Sequence, residues 1–273
     1  MPELMDKDVL KPNLHILHSV MSPKVNYKLF PRNETFYVTI LRNTTSQWVS
    51  IFTYFNFQKH LPPSPIFESM SRFFNNFHNL NHKKDRHLHL SKNPNFFDLG
   101  FWPKYLKPKH LPNSIKAVEK RLDLVMITEL WEESLIALKN MLNLEWDDVT
   151  VLISSDLFER PPEVPEDLKR EILSFNDADY QLYQYFYQKL KTYAQKLPLS
   201  DFENLRIYQK FWNETCIGQM VPELSNDDEL HLDYRLKNDI PQHYIGQCKM
   251  MTCSEMQFIE QYRKSKRIKN NTV

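Results

Sequence analysis

The run TFYVTILR, residues 35–42, is β-branched and aromatic until a single arginine closes it, and Ser50 follows eight residues later. Such a run reads as a buried strand. The residues after it carry Trp48, Val49, Phe52 and Phe55 at helical spacing. In a parallel α/β sheet, ligands bind beyond the carboxyl ends of the strands. An arginine at that end offers a bidentate oxyanion donor beside the N–H groups of the following helix start. Ser50, about two turns into that helix, turns its hydroxyl toward the same anion. The pattern reads either as a phosphate clamp made of Arg42 and Ser50 or as an arginine closing a strand in a surface salt bridge.

Other residues have chemistry of their own. His18, in ILHSVM, is a side chain type that titrates in the range a general base needs, and His15 lies three residues before it. His78, His82, His87 and His89 cluster in an Asn- and Lys-rich stretch. Their spacings suit a helix face or a strand face, but no E-x-x-H accompanies them, and sugar contacts or a solvated loop compete with metal binding. Glu129 closes the apolar run DLVMITEL, where a carboxylate either orients a sugar or bonds a neighbouring helix start. Lys237 stands in YRLK, late in the chain, as a nucleotide contact or a surface lysine.

Elements that alternate must position these groups. Strands are expected at 36–41 and in the runs Asp123–Leu130 and Asp148–Ser154, with a shorter apolar run at 14–20. Helices are expected over 45–57, after the proline-rich turn at 61–65, over 131–142, and as a consecutive pair from Pro165 to Leu197. In the second of these, Ser64 suits the N-cap and Pro65 the first helical position. Residues 78–113 read mostly as loop. Strands alternating with amphipathic helices give an α/β fold with a parallel sheet, as one domain over 1–262 followed by a basic tail, 263–273, rich in Lys and Arg.

Composition narrows the chemistry. A formal net charge of +1 on 273 residues gives no argument for bulk attraction to nucleic acid or a membrane surface. Only three glycines occur, Gly100, Gly218 and Gly246. No glycine-rich phosphate loop can be built from them, so a nucleotide site here lacks its usual cradle. Cys216, Cys248 and Cys253 form no C-x-x-C. They read as buried thiols or, in an oxidising lumen, as a disulfide from Cys216 to Cys248 or Cys253. The sequons at Asn33 and Asn213 are compatible with that lumen. The opening MPELMDKDVLKPN has no apolar core of a signal peptide, and no stretch of 18 apolar residues follows.

An ordered set of segments carries a family resemblance. FYVTILR with SIFTYF, NPNFFDLGF, LVMITELWEESLIALKNML, LEWDDVTVL, FNDADYQLYQYF, YRLKNDI and GQCKMMT follow one another along most of the chain. Together they resemble the galactose-3-O-sulfotransferase family, which includes galactosylceramide sulfotransferase. The resemblance implies a three-layer parallel sheet of the P-loop-containing sulfotransferase type. It also implies transfer of a sulfuryl group from 3′-phosphoadenosine 5′-phosphosulfate (PAPS), without a metal, to a galactose hydroxyl of a glycolipid or glycoprotein glycan at the lumenal side of the Golgi membrane. By it, Arg42 and Ser50 hold the nucleotide 3′-phosphate, Lys237 touches the nucleotide, and His18 is the base. Asn93, Asp98 and Glu129 shape the acceptor pocket. Where the family has Arg-Asp-Pro, this chain has Arg42-Asn43-Thr44. The match begins partway into the family's domain, after its anchor helix, first strand and Lys-Thr-rich phosphosulfate loop. The expectation is therefore an N-terminally truncated sulfotransferase of doubtful activity alone, or a non-catalytic remnant that binds carbohydrate or protein.

Overall fold

The computed structural model describes residues 20–80, 85, 87–152, 163–224, 230–253 and 257. His15, His18, His82, the apolar run at 14–20 apart from Val20, and the basic tail lie outside the described residues. The first elements in chain order are α1 (Pro23–Leu29), β1 (Val38–Leu41), α2 (Thr44–Tyr54), α3 (Ile66–Asn76), α4 (Pro94–Asp98), α5 (Leu111–Arg121) and β2 (Leu124–Ile127). There follow α6 (Trp131–Leu142), α7 (Trp146–Val149), α8 (Glu166–Phe175), α9 (Asp177–Ala194), α10 (Leu199–Cys216), β3 (Ile217–Leu224), β4 (Leu230–Leu236) and α11 (Ile245–Met251). The chain divides into two compact units, 1–134 with 162–196 and 135–161 with 197–273.

In the first unit β1 and β2 pair in parallel, Val38 opposite Leu124 and Leu41 opposite Ile127. Val125, Met126 and Ile127 are buried, as a parallel strand requires. Val38 and Ile40 of β1 remain 38% and 49% exposed. At the amino ends of the strands, Arg32 donates two hydrogen bonds to Asp123, at 2.9 and 2.8 Å, and the Tyr37 N–H donates to the same carboxylate. This contact fixes the register from below.

Apolar side chains at i, i+4 drive α2 into the core: Trp48 and Phe52 are buried and meet Phe57, Met70, Phe73, Leu88, Leu168 and Ile172. Phe57 stacks on Phe73 at 5.5 Å, and Trp48 meets Phe73 edge-on at 5.9 Å. The buried indole N–H of Trp48 donates to the Ser91 carbonyl at 2.9 Å, so its polar atom is satisfied. Each such ring contributes about 1.5–3 kcal/mol by leaving water. The helix pair expected from 165 to 197 is present as α8 and α9.

Several expectations are corrected. The helix at 66 is N-capped by Pro65 rather than Ser64, whose hydroxyl lies 2.7 Å from that of Ser69. A helix, α5, begins within the stretch read as loop; Leu111, Ser114, Ile115 and Val118 share its buried face. The strand expected over 148–154 is absent from its described residues. Residues 146–149 instead form α7, started by the Asp148 carboxylate accepting from the Glu145 N–H at 2.9 Å. Three acidic residues, at 145, 147 and 148, favour a helix start over a strand. The last strand-like residues of 123–130 turn into a 3-10 segment, Thr128–Leu130.

The second unit packs around a disulfide. Cys216, at the end of α10, bonds Cys248 of α11, with Cα atoms 5.2 Å apart. Trp212, Ile217, Leu236, Ile240 and Tyr244 surround it. Of the alternatives for the cysteines, the pairing is thus Cys216 with Cys248; the Cys253 thiol donates to the Lys249 carbonyl. β3 and β4 form an antiparallel hairpin, Ile217 opposite Leu236, which the sequence pattern does not announce. No helix of the described residues is long and apolar enough to cross a membrane.

Candidate functional site

Because β1 and β2 are parallel and end in register, the residues just past their carboxyl ends meet. Asn43 and Glu129 each lie two residues beyond the aligned pair Leu41 and Ile127. The Asn43 N–H donates to one oxygen of Glu129 at 2.9 Å, and the Tyr183 hydroxyl of α9 donates to the other at 3.1 Å. Burial, the Glu129 charge and the hydrogen bond to it push the Tyr183 phenol up, so it stays a donor. Glu129 therefore meets a helix start, one of the two roles open to it from the sequence.

Asn43 also caps α2. Its side-chain oxygen accepts from the N–H groups of Thr45 and Ser46, at 3.1 and 3.2 Å, and its carbonyl accepts from Gln47. An aspartate at this position would do the same work, so Asn43 preserves the capping chemistry of the Arg-Asp-Pro pattern. Thr44 takes the place of the proline at the first helical position. Its hydroxyl is buried without a partner among the described residues, at a cost of about 1–3 kcal/mol.

This capping changes one expectation. The N–H groups of Thr45 and Ser46 are already engaged, so an anion here relies mainly on side chains. Arg42 and Ser50 are exposed, and neither side chain has a partner among the described residues. Ser50 lies about 9 Å along the helix axis from Thr44.

Asn93 and Asp98 bracket α4. Asn93 is 9% exposed and adopts a left-handed backbone, φ 50°. Its N–H donates to the Asn176 side chain at 2.7 Å, and its own side-chain oxygen accepts from the Asp179 N–H at 3.1 Å. In return Asp179 accepts from the N–H groups of Asn95 and Phe96, at 2.8 and 3.0 Å. Each helix start is thus capped by the other helix. Burial pushes the Asp179 carboxyl up to about 7, the Asp98 charge adds to the rise, and the two N–H groups oppose it. Packing around the Asp98 carboxyl raises it as well, against His89. The sequence reading missed Asn43 as a cap and the trio Asn176, Asp179 and Tyr183. Their signal was spacing: polar groups at i, i+3 and i+7 within FNDADYQLYQYF.

Gly100 follows directly. At φ +79° it occupies the left-handed region, and a Cβ there would lie 2.1 Å from the Met21 carbonyl oxygen. Lys237 belongs to the second unit, just past β4, where its ammonium donates to the Glu214 carbonyl. In the histidine-rich stretch, His87 stacks on Phe55 at 4.6 Å and His89 packs on Phe97. Asp85 is buried and accepts from Lys59 at 2.9 Å and pairs with His60 at 2.8 Å. Among the described residues no group of three or more His, Cys, Asp or Glu is arranged to hold a metal ion.

Comparison with known proteins adds to this geometry. The family model described as Galactose-3-O-sulfotransferase matches residues 11–266. Human galactosylceramide sulfotransferase is 26% identical over 257 residues, covering 85% of this chain and 59% of that protein. Human galactose-3-O-sulfotransferase 2 is 26% identical over 256 residues, 85% of this chain and 63% of its own length. Mouse galactose-3-O-sulfotransferase 3 is 30% identical over 165 residues, 56% of this chain and 37% of that protein. The chain spans about 60% of the length of the first two. No solved structure matches. With a family model covering nearly its whole length, and with a mixed fold holding a small parallel sheet, this chain belongs to the galactose-3-O-sulfotransferase family.

Proposed function

We propose that the chain acts as a carbohydrate sulfotransferase that moves a sulfuryl group from PAPS to a galactose hydroxyl. One observation carries the nucleotide half: an exposed arginine just past the carboxyl end of a parallel strand and an exposed serine about two turns into the following helix, both side chains without partners among the described residues. That end is where such sheets bind ligands. Arg42 and Ser50 grip the 3′-phosphate. His18 takes the acceptor hydroxyl proton as that oxygen attacks sulfur in line. Glu129 orients the loop that bears Arg42, and Asn93 and Asp98 hold the α4 wall of the acceptor pocket.

The acceptor is a terminal galactose on a glycolipid or glycan, in keeping with the relatives named for galactosylceramide and galactose. The Cys216–Cys248 disulfide suits an oxidising lumen, consistent with the Golgi. In this reading β1 and β2 belong to a larger three-layer sheet of the P-loop-containing type. A second reading is a module that binds sugar or protein without transfer; it is favoured by the Thr45 and Ser46 N–H groups, which Asn43 already engages and which a bound phosphate would otherwise use.

Calorimetric titration with 3′-phosphoadenosine 5′-phosphate separates the two. Binding is expected, weakened about 10- to 100-fold in Arg42→Ala, the loss of a charge-assisted contact of roughly 1.5–3 kcal/mol. Equal affinity in that variant removes Arg42 from the site. No binding to the unmutated chain leaves the binding-module reading. Sulfate transfer that survives in His18→Ala rejects His18 as base.

A further inference from the structure

A cavity of about 340 Å³ opens on the first unit between the segment after α4 and the helix α5. It lies within the size range of small-ligand sites. Phe101 and Tyr105 give it aromatic walls, and His110, Asn113 and Arg121 bring polar groups to it. The guanidinium of Arg121 sits over the Phe101 ring at 4.5 Å and donates one hydrogen bond, from Nη1 to the Leu99 carbonyl at 3.2 Å. Its remaining N–H groups, the His110 imidazole and the Asn113 amide have no partner among the described residues. The Ser114 hydroxyl, by contrast, is engaged by the Tyr105 carbonyl at 2.9 Å.

The surroundings carry one sign of charge. Between residues 101 and 121 there are six basic residues, Lys104, Lys107, Lys109, Lys116, Lys120 and Arg121, against a single acid, Glu119. That acid is paired with Lys189 at 2.6 Å. Trp102, between two lining residues in sequence, is 68% exposed, and Tyr105 is 45% exposed. Flat aromatic surface suits the C–H face of a sugar ring, while the amide, imidazole and guanidinium suit its hydroxyls and an attached anion.

We propose that this cavity is a binding subsite for an acidic sugar, a pyranose ring carrying a sulfate or carboxylate group. The ring lies along the aromatic wall. The anionic group meets Arg121 and His110 within the field of the rim lysines. The site does not depend on the nucleotide role proposed for Arg42.

Titration of the intact chain with galactose 6-sulfate, glucuronate, galactose and sodium sulfate, at matched ionic strength, tests this by calorimetry and by NMR shifts. Galactose 6-sulfate and glucuronate should each bind at least tenfold tighter than galactose. Lys104→Glu, an exposed change, should weaken the acidic sugars several-fold, and Asn113→Ala should weaken acidic and neutral sugars alike. Arg42→Ala should leave all affinities unchanged. Equal affinity for galactose and its sulfate overturns the proposal, as does sodium sulfate binding as tightly as the sulfated sugar, which marks an adventitious ion only. A response confined to vesicles containing phosphatidylserine overturns it too, since Trp102 and the lysines would then form a membrane contact.

Discussion

Replacing Asp179 by asparagine gives the sharpest test of how the two helix starts at residues 93 and 177 are held together. The carboxyl is 1% exposed and accepts from two backbone N–H groups of α4. Burial raises its pKa from 3.8 to about 7. The folded chain therefore keeps this proton up to about pH 7, whereas the unfolded chain releases it near pH 4. Its contribution to stability is fully present below pH 4 and is lost as pH rises through about 7. A rise of about three units at 1.36 kcal/mol each amounts to on the order of 4 kcal/mol. The amide of the Asp179→Asn chain cannot titrate, though its oxygen still accepts from one N–H group. Urea melts of both chains from pH 4 to pH 8 measure the difference between them, in which titrating groups not coupled to Asp179 cancel and the Asp98 charge, which adds to the rise, remains. The stability advantage of the unmutated chain should shrink by several kcal/mol across that range. A difference flat to within about 1 kcal/mol would show that Asp179 is ionised in the folded state throughout, and the reasoning would fail.

Asn43→Ala removes the acceptor for the Thr45 and Ser46 N–H groups and should cost about 1 kcal/mol in thermal melts, while Asn43→Asp should retain the cap. Asp85 behaves oppositely to Asp179: burial pulls its carboxyl up, but Lys59, the His87 N–H and His60 outweigh that and hold it well below the usual range. Asp85→Asn should therefore cost about 2 kcal/mol at pH 7, a deficit that shrinks as pH falls below about 4. Opening the Cys216–Cys248 bond, whose partners are 32 residues apart, should cost about 4 kcal/mol on the chain-entropy account. Urea melts with and without reductant check this, and an unchanged midpoint would refute it.

Much of the site's chemistry was legible from residue order. TFYVTILR had to be a strand because its side chains favour one, and Arg42 had to follow its end. Trp48 and Phe52 marked the buried face of α2, and the segments shared with the family ran in order along the chain. Other features needed the third dimension. Nothing local to Asn43, Glu129 or Tyr183 says that they meet, because their contact depends on two parallel strands ending in register. Asn93 and Asp179, far apart in sequence, cap one another only because α4 and α9 pack together. The choice of Cys248 over Cys253 for Cys216 rested on how α10 meets α11. The run after Asp148 had the composition of a strand, yet the acidic residues before it won a helical turn. Sequence set local conformation through side-chain periodicity and capping. Tertiary structure decided which distant hydrogen-bonding groups would satisfy one another, because burial forces each to find a partner and packing determines which one is within reach.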